Sequence, residues 1–152
     1  MSVGKRNFLL NLVCLRDTPR AMSQENVELV RAIYDAWSDN RSAAPFIDKD
    51  LEYVNPPDAV EPGTKRGRHY LAKIRDVFPE LRFEPERFID AGDDVVVIAK
   101  ILGRGKSGLE TRWNQGYIWT INKGKAVCFR WFNDPTEALE AVGLSEQDAR
   151  SN

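Results

Sequence analysis

The sequence is poor in the residues that most often announce chemistry. Its 152 residues include one histidine and two cysteines, Cys14 and Cys128, which lie far apart in unlike contexts. One pair at most makes no disulfide framework, so a reducing cytoplasm is the expected compartment. A lone histidine without a cysteine cluster supplies no metal site. No apolar run approaches the ~20 residues that a membrane-spanning helix requires. The formal net charge is −1, without the basic excess of a nucleic-acid binder. These absences exclude a disulfide scaffold, a spanning helix and a general nucleic-acid surface. What remains is 42% hydrophobic and 30% charged. That is an ordinary globular composition, long enough for one domain with its own core.

The first 21 residues differ from the rest. They carry four basic residues against one acidic, a charge of +3, and leave −4 for the remainder. "FLLNLVCL" is short for a secretory signal, is broken by Asn11, and is followed by no small-x-small cleavage site. Met22 opens "MSQENVELV", a natural-looking start. The expectation is an extension over 1–21, disordered or a start-site artefact, then a domain over 22–145 and a tail over 146–152.

Ser23 is an expected N-cap, with Val27, Val30, Ile33, Tyr34 and Trp37 forming one apolar stripe on a helix. "SDNRS" ends that helix, and "AAPFI" predicts a short helical turn. "DLEYVN" alternates and stops at Pro56, as a strand does, and "PPDAVEPGTKRG" has the composition of an irregular loop. Tyr70, Leu71, Ile74, Val77 and Phe78 predict a second helix ended by Pro79. Four β-like segments follow, "LRFEPERFID", "DVVVIAKIL", "LETRWNQGYIWTI" and "AVCFRWF", joined by short glycine-containing turns. Asp134-Pro135 starts a last helix, closed by Gly143. The order predicts an α+β fold with a curved antiparallel sheet and helices on one of its faces.

One turn, "GRGKSG" (103–108), spells Gly-x-Gly-x-x-Gly after an apolar strand. A dinucleotide site needs a helix after those glycines, whose amides hold the pyrophosphate. Here "LETRWNQGYIW" follows, rich in β formers at period two. A Walker-type loop would need glycine at position 100, which is Lys100. The segment is expected to be a hairpin connection, and no cofactor is assigned.

Period two sorts the strands into faces. Thr111, Trp113, Gln115, Tyr117, Trp119 and Ile121 share one face of their strand. Val127, Phe129, Trp131 and Asn133 alternate with Ala126, Cys128, Arg130 and Phe132, while Leu51, Tyr53 and Asn55 share a face of the first strand. An aromatic stripe is first of all core. The amides and the polar ends of Trp and Tyr also suit a small-molecule pocket, apolar with a few convergent polar groups. The predicted pocket comprises Trp37, Tyr53, Trp113, Gln115, Tyr117, Trp119, Phe129, Trp131 and Asn133. Its ligand is expected to be a small, mostly apolar molecule with one or two polar groups.

"ENVELVRAIYDAW", "DLEYVNPPD", "GRHYLAKI" and "IWTINKGKAVCFRWFND…EALEAVGL" together resemble the SnoaL-like branch of the nuclear transport factor 2-like superfamily. The resemblance runs from Ser23 to Leu144 and suggests an actinobacterial-type member. It implies a cone-shaped α+β barrel around a pocket, commonly dimeric, here through the outer sheet face. The family includes polyketide cyclases, ketosteroid isomerases, epoxide hydrolases, dehydratases and members with no known reaction. By position, the isomerase tyrosine falls at Tyr34, its base at Asn55 and its second acid at or near Tyr117. An amide cannot abstract a carbon-bound proton, which argues against isomerase chemistry. Tyr34, Asn55 and Tyr117 remain candidates to orient a carbonyl or hydroxyl. His69, the one histidine, is a candidate base at the start of a charged helix, where a solvated role is the commoner one. The residues therefore leave open a ligand-binding protein, a cyclase, hydratase or epoxide-hydrolase-type enzyme on a polyketide- or terpenoid-like substrate, and a dimerising module. The first is favoured because the alternation places no carboxylate on the inward faces.

Overall fold

Helix α1, Arg20–Ser38, begins a turn before Ser23, so Ser23 lies buried within the helix instead of capping it. The structure, a computed structural model, describes residues 20–77, 80–104 and 107–150. The expected extension therefore lies outside the described residues, apart from its last two, which are helical. Val30, Ile33 and Tyr34 are buried on one stripe of α1 as their spacing requires. Asn40 ends the helix at φ +57°, with Asn40 N–H donating to Trp37 O (3.1 Å) and Arg41 N–H to Ala36 O (2.6 Å). This is the paired bonding of a left-handed helix cap, which asparagine tolerates.

A 3-10 turn, Ala44–Phe46, leads into β1, Ile47–Asn55. The loop expected to be irregular contains a strand, β2, Gly63–Arg66, paired antiparallel with β1. Its polar sequence carries no strand signal; the pairing partner makes it one. Helix α2, Tyr70–Val77, follows. The expected stripe members Ile74, Val77 and Phe78, and the terminator Pro79, fall outside the described side chains.

The four expected β-like segments are β3, Arg82–Ala91; β4, Asp94–Arg104; β5, Glu110–Asn122; and β6, Lys125–Phe132. The strand order is β2-β1-β6-β5-β4-β3 in one curved, unclosed sheet. Neighbours pair antiparallel except β1 and β6, which run parallel. Arg104 pairs with Glu110, so "GRGKSG" joins strand to strand and no helix follows its glycines. Gly105 and Lys106 lie outside the described residues.

Two layers of core flank the sheet. The inner one holds α1 against Val95, Val97, Ala99, Ile101, Tyr117, Trp119 and Phe129. The outer one gathers Ile89, Val96, Ile118, Ala138 and Leu139. Helices thus cover both faces, because α3, Pro135–Ala141, crosses to the outer side. Asp134 caps α3, accepting from Thr136 N–H at 2.9 Å. The approach is close: a Cβ on Gly116 would stand 2.6 Å from Ala138 Cβ and 3.0 Å from Pro135 Cα. The segment expected as a tail continues into a short helix, α4, Glu146–Arg150.

One bulge alters the faces expected for β6, and a second sets those of β3. Val127 is passed over between the pairs Thr120–Cys128 and Ile121–Ala126, so Ala126 turns inward and is fully buried. Glu86 is passed over in β3, so Phe83 and Phe88, an odd step apart, both face inward. Among the described residues no helix is long and apolar enough to cross a membrane.

Candidate functional site

A cavity of about 60 Å³ lies between α1, α2 and the concave face of the sheet. Tyr34 and Trp37 from α1, Tyr53 from β1, Leu71 from α2, Phe83 from β3, Gln115 and Tyr117 from β5, and Phe129 and Trp131 from β6 line it. The wall is a continuous set of ring contacts. Tyr34 meets Trp37 at 5.3 Å, Tyr53 meets Phe129 at 5.4 Å, and Tyr117 meets Phe129 at 5.3 Å between centroids. Such separations lie in the favourable range for aromatic pairs.

The polar atoms follow a plan. Trp119, fully buried behind the wall, donates its indole N–H to the Tyr34 hydroxyl at 3.1 Å. Among the described residues nothing accepts the Tyr34 proton, nor does any group bond the Tyr53 hydroxyl. Tyr117 donates to Gln115 Oε1 at 2.6 Å, Gln115 Nε2 donates to Asn133 Oδ1 at 3.3 Å, and Asn133 Nδ2 donates to Asp58 Oδ2 at 3.2 Å. A second chain runs from Trp131 Nε1 to Asn55 Oδ1 at 2.6 Å, and from Asn55 Nδ2 to Glu61 O at 2.8 Å.

Burial pushes the hydroxyls of Tyr34 and Tyr117 far above the ordinary phenol range. The Trp119 hydrogen bond pulls Tyr34 partly back, while the nearby Tyr34 and Tyr53 phenols push Tyr117 further up. Burial raises Tyr53 as well. At neutral pH these three are uncharged hydrogen-bonding groups and not bases. Among the described residues no carboxylate, lysine, arginine or histidine lines the cavity. Among the described residues no cluster of three metal-ligating side chains occurs.

Six of the nine pocket residues read from the sequence line the cavity: Trp37, Tyr53, Gln115, Tyr117, Phe129 and Trp131. Trp119 stands behind Tyr34, Asn133 holds Gln115 from outside, and Trp113 packs on the core without reaching the cavity. Of the three catalytic candidates only Tyr34 reaches it. Both ends of the Asn55 amide are taken by Trp131 and Glu61. His69 is exposed, stacked on Tyr70 at 4.3 Å and seated over Gly67, where a Cβ would lie 2.5 Å from its ring. Arg130, in the set that alternates with Phe129 and Trp131, lies 3.8 Å from Asp94. Sequence reasoning missed Leu71 and Phe83 as lining residues. Phe83 was legible only with the bulge at Glu86; Leu71 sat on a helical stripe that could equally have been core.

A SnoaL-like domain model matches residues 30–129, about two thirds of the chain, and the chain belongs to that family. The fold is that of the nuclear transport factor 2-like proteins. TerC, crystallised with polyporic acid, is 26% identical over 78% of this chain and 98% of its own, with a TM-score of 0.62. A nuclear transport factor 2-like protein of unknown function from Burkholderia pseudomallei K96243 is 25% identical over 78% and 98%, with a TM-score of 0.60. A candidate SnoaL-like polyketide cyclase from Jannaschia sp. CCS1 is 18% identical over 78% and 92%, also at 0.60. No curated protein sequence matches the chain.

Proposed function

We propose that this protein binds a small, mostly apolar molecule with polar tips in the aromatic cavity. The observation that carries the reading is a wall of rings whose inward polar groups are uncharged, among them a buried Tyr34 proton with no acceptor among the described residues. A buried donor left unpaired costs stability, and a ligand carbonyl would satisfy it. At about 60 Å³ the cavity holds a small group and not a whole metabolite. Two clefts of about 320 and 350 Å³ flank it, and Trp37 lines all three spaces. Taken together the three spaces, with Trp37 as their shared wall, are of the size ligand sites occupy, about 300–1,000 Å³.

A cyclase-type reaction is the second reading, supported by the candidate cyclase among the structural relatives and by Tyr34 as a donor to a carbonyl. With no base among the described residues of the wall, binding is the first reading and catalysis the second. A cytoplasmic location rests on the low cysteine content, and pairing of two copies through the outer sheet face is a proposal for the sheet beyond α3.

A thermal-shift screen of apolar ketones and phenols tests the binding reading, because a ligand specific to the folded state raises Tm by mass action. Leu71→Trp fills the cavity and is expected to abolish the shift seen with the unaltered protein. Equal shifts in both, or none with any compound, would overturn the reading.

A further inference from the structure

We infer that Asp58, a surface carboxylate outside the cavity, sets the direction of the buried hydrogen-bond chain and so makes Tyr117 an acceptor for the ligand while Tyr34 is a donor. The inference rests on the binding reading above and names the chemistry that the same site selects.

The chain begins at Asp58, its outer end. An ionised carboxylate only accepts hydrogen bonds. Asn133 must therefore turn its NH2 group towards Asp58, as it does at 3.2 Å. The reverse orientation would set two acceptor oxygens against each other. With its NH2 committed, Asn133 presents its carbonyl oxygen to Gln115, which must donate. Gln115 is buried, so its amide has no water to turn to. Its oxygen then faces Tyr117, and the Tyr117 hydroxyl has to give its proton outward at 2.6 Å. What Tyr117 keeps for the cavity is lone pairs. Tyr34 is arranged the other way: Trp119 N–H occupies its oxygen at 3.1 Å, leaving its proton for the cavity.

The wall therefore offers one fixed acceptor and one fixed donor. Tyr53, whose hydroxyl no described residue bonds, rotates to suit either. The matching ligand class is an apolar ring system carrying both a hydroxyl, to donate to Tyr117, and a carbonyl, to accept from Tyr34. A charged tip finds no counter-ion among the described residues of this wall. Asp58 touches nothing in the cavity, so it is a positioning residue acting through Asn133 and Gln115.

The test uses the full chain and three probes of one size: tetralin, tetralone and a hydroxytetralone. Affinities are read from quenching of tryptophan fluorescence, since Trp37 and Trp131 lie on the wall. The unaltered protein is expected to hold hydroxytetralone about fivefold to tenfold tighter than tetralone, the usual worth of one hydrogen bond. Asp58→Asn is expected to remove that preference, because an amide both donates and accepts and lets the chain reverse. Tyr117→Phe is expected to remove it too. Asp58 and Asn133 are exposed, so the urea midpoint of Asp58→Asn should match the unaltered protein, separating lost direction from lost fold. Retention of the preference in Asp58→Asn would overturn the inference. Equal binding of all three probes by the unaltered protein would overturn it while sparing the pocket. Failure of every probe to bind would remove both.

Discussion

Gly116→Ala tests how the outer layer supports the inner one. The added methyl would stand 2.6 Å from Ala138 Cβ and 3.0 Å from Pro135 Cα. Carbon atoms in contact settle at about 3.5–4.0 Å. Helix α3 must therefore lift by roughly 1 Å, since one obstacle is backbone and the other a side chain with no rotamer to change. The lift loosens Ala138 and Leu139 from Ile89, Val96 and Ile118. Overpacking of this kind costs about 1–3 kcal/mol. Asn133 lies just before α3 and holds Gln115, so the same lift should weaken ligand affinity. Urea unfolding gives the stability and fluorescence titration the affinity. Ala138→Gly alone should cost about 1 kcal/mol as a helix-interior glycine. Combined with Gly116→Ala it removes the nearer clash, so the double variant should lose less than the two single losses together. A Gly116→Ala protein as stable as the original, or strict additivity in the double variant, would refute the packing argument.

Alkaline stability follows from the raised phenols. The folded chain holds the Tyr34 and Tyr117 protons to higher pH than the unfolded chain, whose phenols titrate near about 10. Stability should be unaffected below that pH and fall above it by about 1.4 kcal/mol per pH unit for each such group. The part of the phenolate absorbance that is lost in Tyr34→Phe and Tyr117→Phe variants should appear together with the loss of circular dichroism; its appearance in the still-folded protein would contradict the burial. Asp134→Ala, which removes the cap on Thr136 N–H, should cost about 1 kcal/mol in urea unfolding, and an unchanged midpoint would show the cap to be idle.

The sequence showed the lining tyrosines and tryptophans of β5 and β6 because alternation is a local property of a strand. Tyr117, Gln115, Phe129 and Trp131 could be placed on one side before any fold was known. Ala126 and Phe83 could not, since each depends on a bulge that inserts one residue and turns the following side chains over. β2 has no signal of its own; β1 creates it by pairing. Trp113 shares the alternation of Tyr117 yet lies away from the cavity, which period two has no means to express.

What the sequence determined by itself was the order of the elements other than β2 and α4, the strand-to-strand turn at "GRGKSG", and a store of apolar rings with polar ends. Those follow from periodicity, turn residues and composition, which act over a few neighbours. What the tertiary structure alone decided was who meets whom: Trp119 with Tyr34 across 85 positions, Trp131 with Asn55 across 76, and Asn133 with Asp58 across 75. Hydrogen bonds of that reach are set by the parallel pairing of β1 with β6 and by α1 lying across the sheet. They turn a wall of aromatics into a cavity whose donors and acceptors have a direction.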